Sequence, residues 1–157
     1  MNDFRKANTG GRRNEKPLTE EQKKQAEDYA VSLGMPVERI KYSSYSDTGY
    51  IPGYIDTLVI GTDVLPIGQR AKTPNDNISL KGTVAHEIIG HRESILKGRG
   101  QSEKVLDEAQ ASIRAARFAT DLDMLERRDL VRDAIHRLNE AGLSLRHVKD
   151  KLFISER

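Results

Sequence analysis

Apolar residues recur at helical spacing through most of the second half of the chain. One such stretch runs from about Met124 to Glu140. Residues three or four apart lie on one face of a helix, so this spacing predicts an amphipathic helix with a buried face. The stretch before it has the same pattern, with apolar positions at Val105, Leu106, Ala109, Ile113 and Ala116.

Helix-start patterns place two further helices earlier in the chain. One helix is predicted from about Glu20 to Leu33, because Thr19 and Gln22 have the spacing of a capping box. Another is predicted to begin after Asn77 or Ser79, either of which can cap it. Four helices are therefore expected, three of them in the second half of the chain.

The region between the first two helices has a different pattern. Short apolar runs alternate there with Gly, Pro, Ser and Tyr, which favours a small irregular sheet over helix. The clearest strand is Thr57 to Ile60, and residues 68–77 read as a polar loop beside a cleft. The predicted fold class is α+β, with a small N-terminal mixed sheet and a helical C-terminal half.

Length and composition narrow the organisation further. A chain of 157 residues suits one domain, so residues 17–157 are expected to form a single domain after a flexible polar arm at residues 1–16. No apolar run is long enough for a signal peptide or a membrane span, which favours a cytoplasmic protein with no membrane partner. The net charge of +2 is too small to indicate nucleic acid as a partner.

The stretch VAHEIIGHRES contains the strongest chemical signal. Zinc peptidases usually present two histidines four apart on a helix, but His86 and His91 are five apart, or roughly 140° around a regular helix. A single wide turn with i to i+5 hydrogen bonds would bring both rings to one side. Gly90 lies where that distortion would fall. The pattern therefore predicts a deformed helix carrying a metal site.

Two imidazoles do not complete a catalytic zinc site, which takes three protein ligands and a water. The chain has no cysteine, so the third ligand must be His, Asp or Glu. A turn at residues 98–100 would fold the next helix back alongside the histidines, and carboxylates on this helix are candidates for the third ligand. Glu93, which precedes the turn, is a further candidate. Zinc is the expected metal for such ligands, although manganese, cobalt or nickel also bind them. The helix's candidates are Glu103, Asp107 and Glu108.

Two motifs together resemble a known family. HEIIGH followed by DEAQAS is similar to the HExxGH and EExxAE motifs of dipeptidyl peptidase III, a zinc peptidase of the gluzincin type. The resemblance implies a zincin-like fold in which His86, His91 and Glu108 bind Zn²⁺. It also implies that Glu87 is the general base of peptide hydrolysis.

This resemblance covers only residues 86–112. Asp107 stands where the family has glutamate, and the resemblance implies that it supports the ligands from behind. Ser112 departs from the motif's final glutamate, so the support that this glutamate gives is missing or comes from elsewhere. The site chemistry is expected to carry over, but the dipeptide-releasing specificity is not.

A second resemblance concerns biological context. The short chain, its polar arm, and the strand LVIG with a loop leading into TVAHE are similar to the small metallopeptidase-like modules at the C-termini of bacterial polymorphic toxins. This resemblance implies an immunity or inhibitor protein as a partner. It also implies delivery into a target cell as part of a larger secreted protein.

The leading hypothesis is thus a zinc-dependent metallopeptidase that cleaves protein or peptide substrates. Substrate would pair with a sheet edge, for which Thr57 to Ile60 is the predicted segment. The charge that develops on the substrate carbonyl oxygen needs a partner, and Tyr50, Tyr54, His136 or an arginine are the candidates.

Two alternatives belong to other classes of function. One is an interaction module in which the metal only joins two helices, which would require a site closed by four protein ligands. The other is a nucleic-acid-targeting toxin, motivated by the arginine-rich helices. Those arginines, including Arg114, are instead predicted to form a solvated face paired with acidic residues such as Asp133.

Overall fold

The computed structural model describes residues 13–67 and 71–157, and the chain is of the mixed α+β class. Its three strands are β1 (Ile40–Tyr42), β2 (Gly49–Ile51) and β3 (Thr57–Ile60). A π-helical stretch, His86–Arg92, continues one of the helices and is called the π segment below. The α-helices are α1 (Glu20–Ser32), α2 (Leu80–Ala85), α3 (Glu93–Leu96), α4 (Lys104–Phe118), α5 (Met124–Glu140) and α6 (Leu145–Val148).

The three strands form one sheet in the order β1–β3–β2. β1 is parallel to β3, and β2 is antiparallel to it with Tyr50 opposite Leu58. β3 is therefore paired on both sides, and the prediction that Thr57 to Ile60 offers a sheet edge to substrate is wrong. The edges of the sheet are β1 and β2.

The predicted helices are present, with their starts set by side-chain caps. Thr19 and Gln22 form the predicted capping box of α1. Ser79 rather than Asn77 caps α2, because its side chain accepts the N–H of Gly82. The bounds of α5 are those that its apolar spacing predicts. No described helix is long and apolar enough to cross a membrane.

Two apolar clusters form the core of the described residues, and the π segment belongs to the first of them. The first packs the sheet and α1 against the chain around Ile88 and Ile89, both of which are fully buried. The second joins α4 and α5 to the C-terminal residues through side chains such as Leu106 and Leu138. The π segment is thus held between the sheet on one side and α4 on the other.

The predicted arm and loop fall partly outside the described residues. Of the arm, residues 13–16 are described, and Arg13 donates to the carbonyl oxygens of Asp63 at 2.7 Å and Val64 at 3.1 Å. The Asn14 side chain donates to the carbonyl oxygen of Thr62 at 3.1 Å. Residues 68–70 of the predicted loop lie outside the described residues. The last residues of this loop form a 3₁₀ turn, Pro74–Asn77.

Gly90 marks the closest approach between the π segment and α4. A Cβ atom built on Gly90 would lie 2.5 Å from the carbonyl oxygen of Ala111 and 2.7 Å from its Cα atom. Real Cβ atoms essentially never come so near to backbone. Glycine is therefore required for the contact between these two helices as well as suited to the distorted turn.

We predict that Gly90→Ala lowers the free energy of unfolding by about 1–3 kcal/mol, the usual cost of overpacking a core. Urea denaturation followed by circular dichroism measures this change. Gly100→Ala is the matched control, since its Cβ would meet only the Ile95 side chain at 3.9 Å, and it should change stability by less than about 0.5 kcal/mol. Equal stability of both variants would show that α4 and the π segment can separate without cost.

Candidate metal centre

The π segment brings His86 and His91 onto the same side of the chain. The N–H of Glu93 donates to the carbonyl oxygen of Ile88, an i to i+5 bond that marks the wide turn. The two imidazole centroids lie 4.8 Å apart with their planes at 80°. The deformation predicted from the five-residue spacing is confirmed.

Glu108 on α4 completes a group of three candidate ligands. Its two oxygens lie 3.2 Å from His86 Nε2 and 2.9 Å from His91 Nε2. One ligand atom from each of the three residues lies within 4.8 Å of the others. Histidine nitrogens and a carboxylate oxygen in this arrangement are the donor set of a catalytic zinc site.

The other carboxylates considered as ligands lie elsewhere. Glu103 is exposed and precedes the first residue of α4. Glu93 Oε2 accepts from Arg114 Nη2 at 3.0 Å. Asp107 Oδ2 is 3.4 Å from His91 Nδ1, on the side of the imidazole away from Glu108. Asp107 therefore has the position of a group that orients His91, and the structure brings only Glu108 to both Nε2 atoms.

The Nδ1 atom of His86 contacts Ser112 in a buried chain of hydrogen bonds. The two atoms, His86 Nδ1 and Ser112 Oγ, are 2.9 Å apart, and Oγ donates to Asp133 Oδ2 at 2.6 Å. Because the hydroxyl proton goes to the carboxylate, Oγ accepts from the Nδ1–H of His86. With its proton on Nδ1, a neutral His86 ring would present its Nε2 lone pair to a metal ion that takes the place of the contact with Glu108.

Asp133 thus places a carboxylate behind Ser112 and His86. It lies on α5, is only 1 % exposed, and is held by Arg137, whose Nε is 3.0 and 2.9 Å from its two oxygens. Arg137 Nη1 is also 3.8 Å from Glu108 Oε1. Burial lowers the pKa of Arg137, but Asp133 and Glu108 outweigh this and raise the pKa above its ordinary value.

The sequence interpretation missed Asp133 and Arg137. It placed Asp133 and Arg114 on a solvated face, but Asp133 supports the site and Arg114 is fully buried among Glu93 and the C-terminal carbonyl groups. The only signal in the sequence was the four-residue spacing of Asp133 and Arg137 on one helix, which allows an ion pair. The packing of α5 against α4, which brings this pair to the site, has no local sequence pattern.

Glu87 lies between the π segment and the sheet. It is buried, and its Oε1 accepts the backbone N–H of Tyr50 at 3.0 Å. Neighbouring residues in an antiparallel pair alternate in direction, so the Tyr50 N–H points away from β3 toward the open edge of β2. The carboxylate of Glu87 is therefore fixed at the edge of the sheet, beside the two histidines.

A second contact ties β2 to the end of the π segment. Arg92 donates to both oxygens of Asp56, from Nε at 2.9 Å and Nη2 at 3.2 Å. The Tyr50 hydroxyl donates to the same carboxylate. Burial and this hydrogen bond raise the pKa of Tyr50 to about 12. The three side chains fix the distance between the β2 edge and Glu87.

Two of the three candidate ligands, His91 and Glu108, stabilise each other's charged forms when no metal is bound. Burial alone lowers the pKa of His91, but the charge of Glu108 and hydrogen bonds to Asp107 and Glu108 raise it above its ordinary value. Burial raises the pKa of Glu108, but the two histidines outweigh it and hold the pKa well below the ordinary value. A divalent cation would take the place of the proton between these groups.

Comparison with models of protein families, with curated proteins and with solved structures found no match to the chain. The likeness to gluzincins and to toxin modules therefore stays a prediction based on two short motifs.

We predict that the protein binds one zinc ion. His91→Ala and Glu108→Ala should each weaken zinc binding by more than about 100-fold, because substitution of residues that only contact the ligands already weakens binding by about 10–100-fold. Elemental analysis and calorimetry measure the stoichiometry and the affinity. Glu103→Ala is the control because this carboxylate is exposed outside the group, and it should bind zinc as the wild type does. A wild-type protein that binds no zinc at micromolar concentration would show that the histidines are structural.

A separate prediction concerns the hydrogen bond behind His86. Ser112→Ala removes the group that orients Nδ1, so zinc affinity should fall by about 10–100-fold while all three ligands remain. Ser94→Ala is the matched control, because this buried hydroxyl donates to the carbonyl oxygen of Gly90 instead. If both variants lose stability but neither loses zinc affinity, Ser112 has no part in metal binding.

Proposed function

We propose that this chain is a zinc-dependent metallopeptidase that hydrolyses peptide bonds. The observation that carries the proposal is the convergence of two histidines from the π segment and Glu108 from α4, with Glu87 fixed next to them. His86, His91 and Glu108 would hold the metal. When bound in such a site, zinc acidifies a water molecule and polarises a substrate carbonyl group.

Three protein ligands distinguish this arrangement from a purely structural metal site. A structural site is closed by four protein ligands, whereas a catalytic site leaves one position open. Within residues 13–67 and 71–157, the group contains only His86, His91 and Glu108. This supports an enzyme over an interaction module in which the metal only joins the π segment to α4.

Glu87 is the proposed general base. Its Oε1 is engaged by the Tyr50 N–H, and Oε2 has no hydrogen bond to any described residue. Glu87 would take a proton from the attacking water through this second oxygen and pass it to the leaving amine. Because the Tyr50 N–H holds one oxygen of the buried carboxylate, the base is positioned before substrate arrives.

The surface beside the outer edge of β2 is the proposed binding site for a peptide substrate. The N–H groups of Thr48 and Tyr50 on this edge are bound by Asp63 and Glu87, so the peptide would lie against side chains beside Glu87 rather than add a strand to the sheet. Exposed apolar side chains lie beside it at Ile51, Tyr54 and Ile55. They would favour substrates with apolar residues at the positions next to the cleaved bond.

Nucleic acid is a less suitable substrate for this surface. Two of the arginines that suggested it are used inside the protein: Arg114 binds Glu93, and Arg127 donates to the carbonyl oxygens of Leu122 and Ala116. The net charge of +2 offers no strongly positive face. A toxin context with an inhibitor partner is a hypothesis about where the peptidase acts, and it leaves the proposed chemistry unchanged.

We predict that Glu87→Gln binds zinc like the wild type but cleaves a peptide library about 10²- to 10⁴-fold more slowly, the usual contribution of a general base. Mass spectrometry of the library measures cleavage, and calorimetry measures the metal. Glu103→Gln, which changes an exposed carboxylate outside the site, should cleave at the wild-type rate.

The proposal is contradicted if the zinc-loaded wild type cleaves nothing, or if Glu87→Gln is fully active. Expression of both forms in bacterial cells tests the toxin hypothesis separately. Growth arrest by the wild type but not by Glu87→Gln would support it. Normal growth of cells that express the wild type, whichever compartment the protein is directed to, would count against it.

A further inference from the structure

Hydrolysis of a peptide bond places negative charge on the carbonyl oxygen, and a fixed donor near the site must stabilise it. Three of the candidates suggested by the sequence are not available. The Tyr50 hydroxyl donates to Asp56, and Tyr54 is 98 % exposed. His136 Nε2 lies 3.5 Å from Glu140 on the outer side of α5.

Arg137 is the described cation closest to the candidate ligands. Its Nη1 is 3.8 Å from Glu108 Oε1, too far for a hydrogen bond but adjacent to the ligand group. Its Nε donates to Asp133, whereas Nη1 and Nη2 have no hydrogen-bond acceptor among the described residues. The side chain is 28 % exposed, so these terminal N–H groups face accessible space beside Glu108.

Asp133 holds the guanidinium group in a fixed plane. Both carboxylate oxygens contact Nε, and Asp133 is itself fixed by the Ser112 hydroxyl. An arginine held at Nε keeps its terminal donors in one direction, which a flexible lysine does not. The arrangement therefore provides a preorganised positive group that needs no rearrangement during the reaction.

We propose that Arg137 is a catalytic residue whose terminal N–H groups bind the carbonyl oxygen of the scissile peptide bond. This inference rests on the proposed peptidase function. Water oxygen bonds to the carbonyl carbon, the C=O electron pair moves onto the oxygen facing Arg137, and Glu87 takes the water proton. The C–N bond then breaks, the carbonyl forms again, and the leaving amine receives that proton.

The position of Arg137 favours this role over recognition of a substrate carboxylate. The reacting carbonyl must approach the metal, and Nη1 lies beside one of the candidate ligands. A donor for a terminal carboxylate would have to lie at least one peptide unit farther away. Arg137 therefore interacts with the atom at which charge develops, and its contribution should appear in the chemical step.

The test compares the zinc-loaded wild type with Arg137→Gln and Arg137→Lys. We expect Arg137→Gln, when loaded with zinc, to lower kcat by about 10²- to 10³-fold, as loss of one oxyanion donor does, with little change in KM. Arg137→Lys retains the charge and should recover part of kcat. Binding of a phosphinic peptide, which mimics the tetrahedral species, should weaken in parallel with kcat/KM.

Arg132→Gln is the matched control, because Arg132 is an exposed arginine on the same helix, and it should be as active as the wild type. Three results would overturn the assignment: full activity of Arg137→Gln, a higher KM with unchanged kcat, or loss of zinc by both Arg137 variants. In each of these cases the wild type still cleaves peptides, so only the role of Arg137 is wrong. A wild type without peptidase activity would instead refute the proposed function, and this inference with it.

Discussion

The wide turn of the π segment is the constraint on which the rest of the site depends. On a regular helix, His86 and His91 would point roughly 140° apart and could not share one ion. The turn alone is not sufficient, because the third candidate ligand comes from α4. Gly90 allows the backbone of Ala111 to approach to a distance that no side chain at residue 90 would permit. The same residue therefore accommodates the distorted turn and brings Glu108 to the histidines.

Charge balance explains why the groups around the candidate ligands form a closed ring. Hydrogen bonds and ion pairs run from His86 through Ser112 to Asp133, and from there through Arg137 to Glu108 and back to His86. A buried carboxylate such as Asp133 is costly without a partner. Arg137 lies between two carboxylates and so stabilises both. A cation at the histidines would add to this balance, because the ring contains two acidic groups and one arginine.

Local patterns predicted those parts of the molecule that local interactions determine. Caps and apolar spacing gave α1 and α5, and the five-residue histidine spacing together with Gly90 gave the wide turn. The order of the strands could not be predicted in this way, since the parallel pairing of β1 with β3 joins residues far apart in sequence. The role of Arg137 was missed for the same reason, because it depends on how α5 packs against α4.

The small size of Ser112 and the close packing of α5 are connected. Ser112 is fully buried where α4 meets α5, and its hydroxyl bridges the His86 ring and Asp133. A glutamate at this position would bring its own carboxylate into the space that Asp133 now fills, and α5 would have to move outward. With serine, α5 packs closely enough to contribute the carboxylate and also Arg137. Serine at this position thus leaves space for a carboxylate from α5 that is itself paired with a positive group.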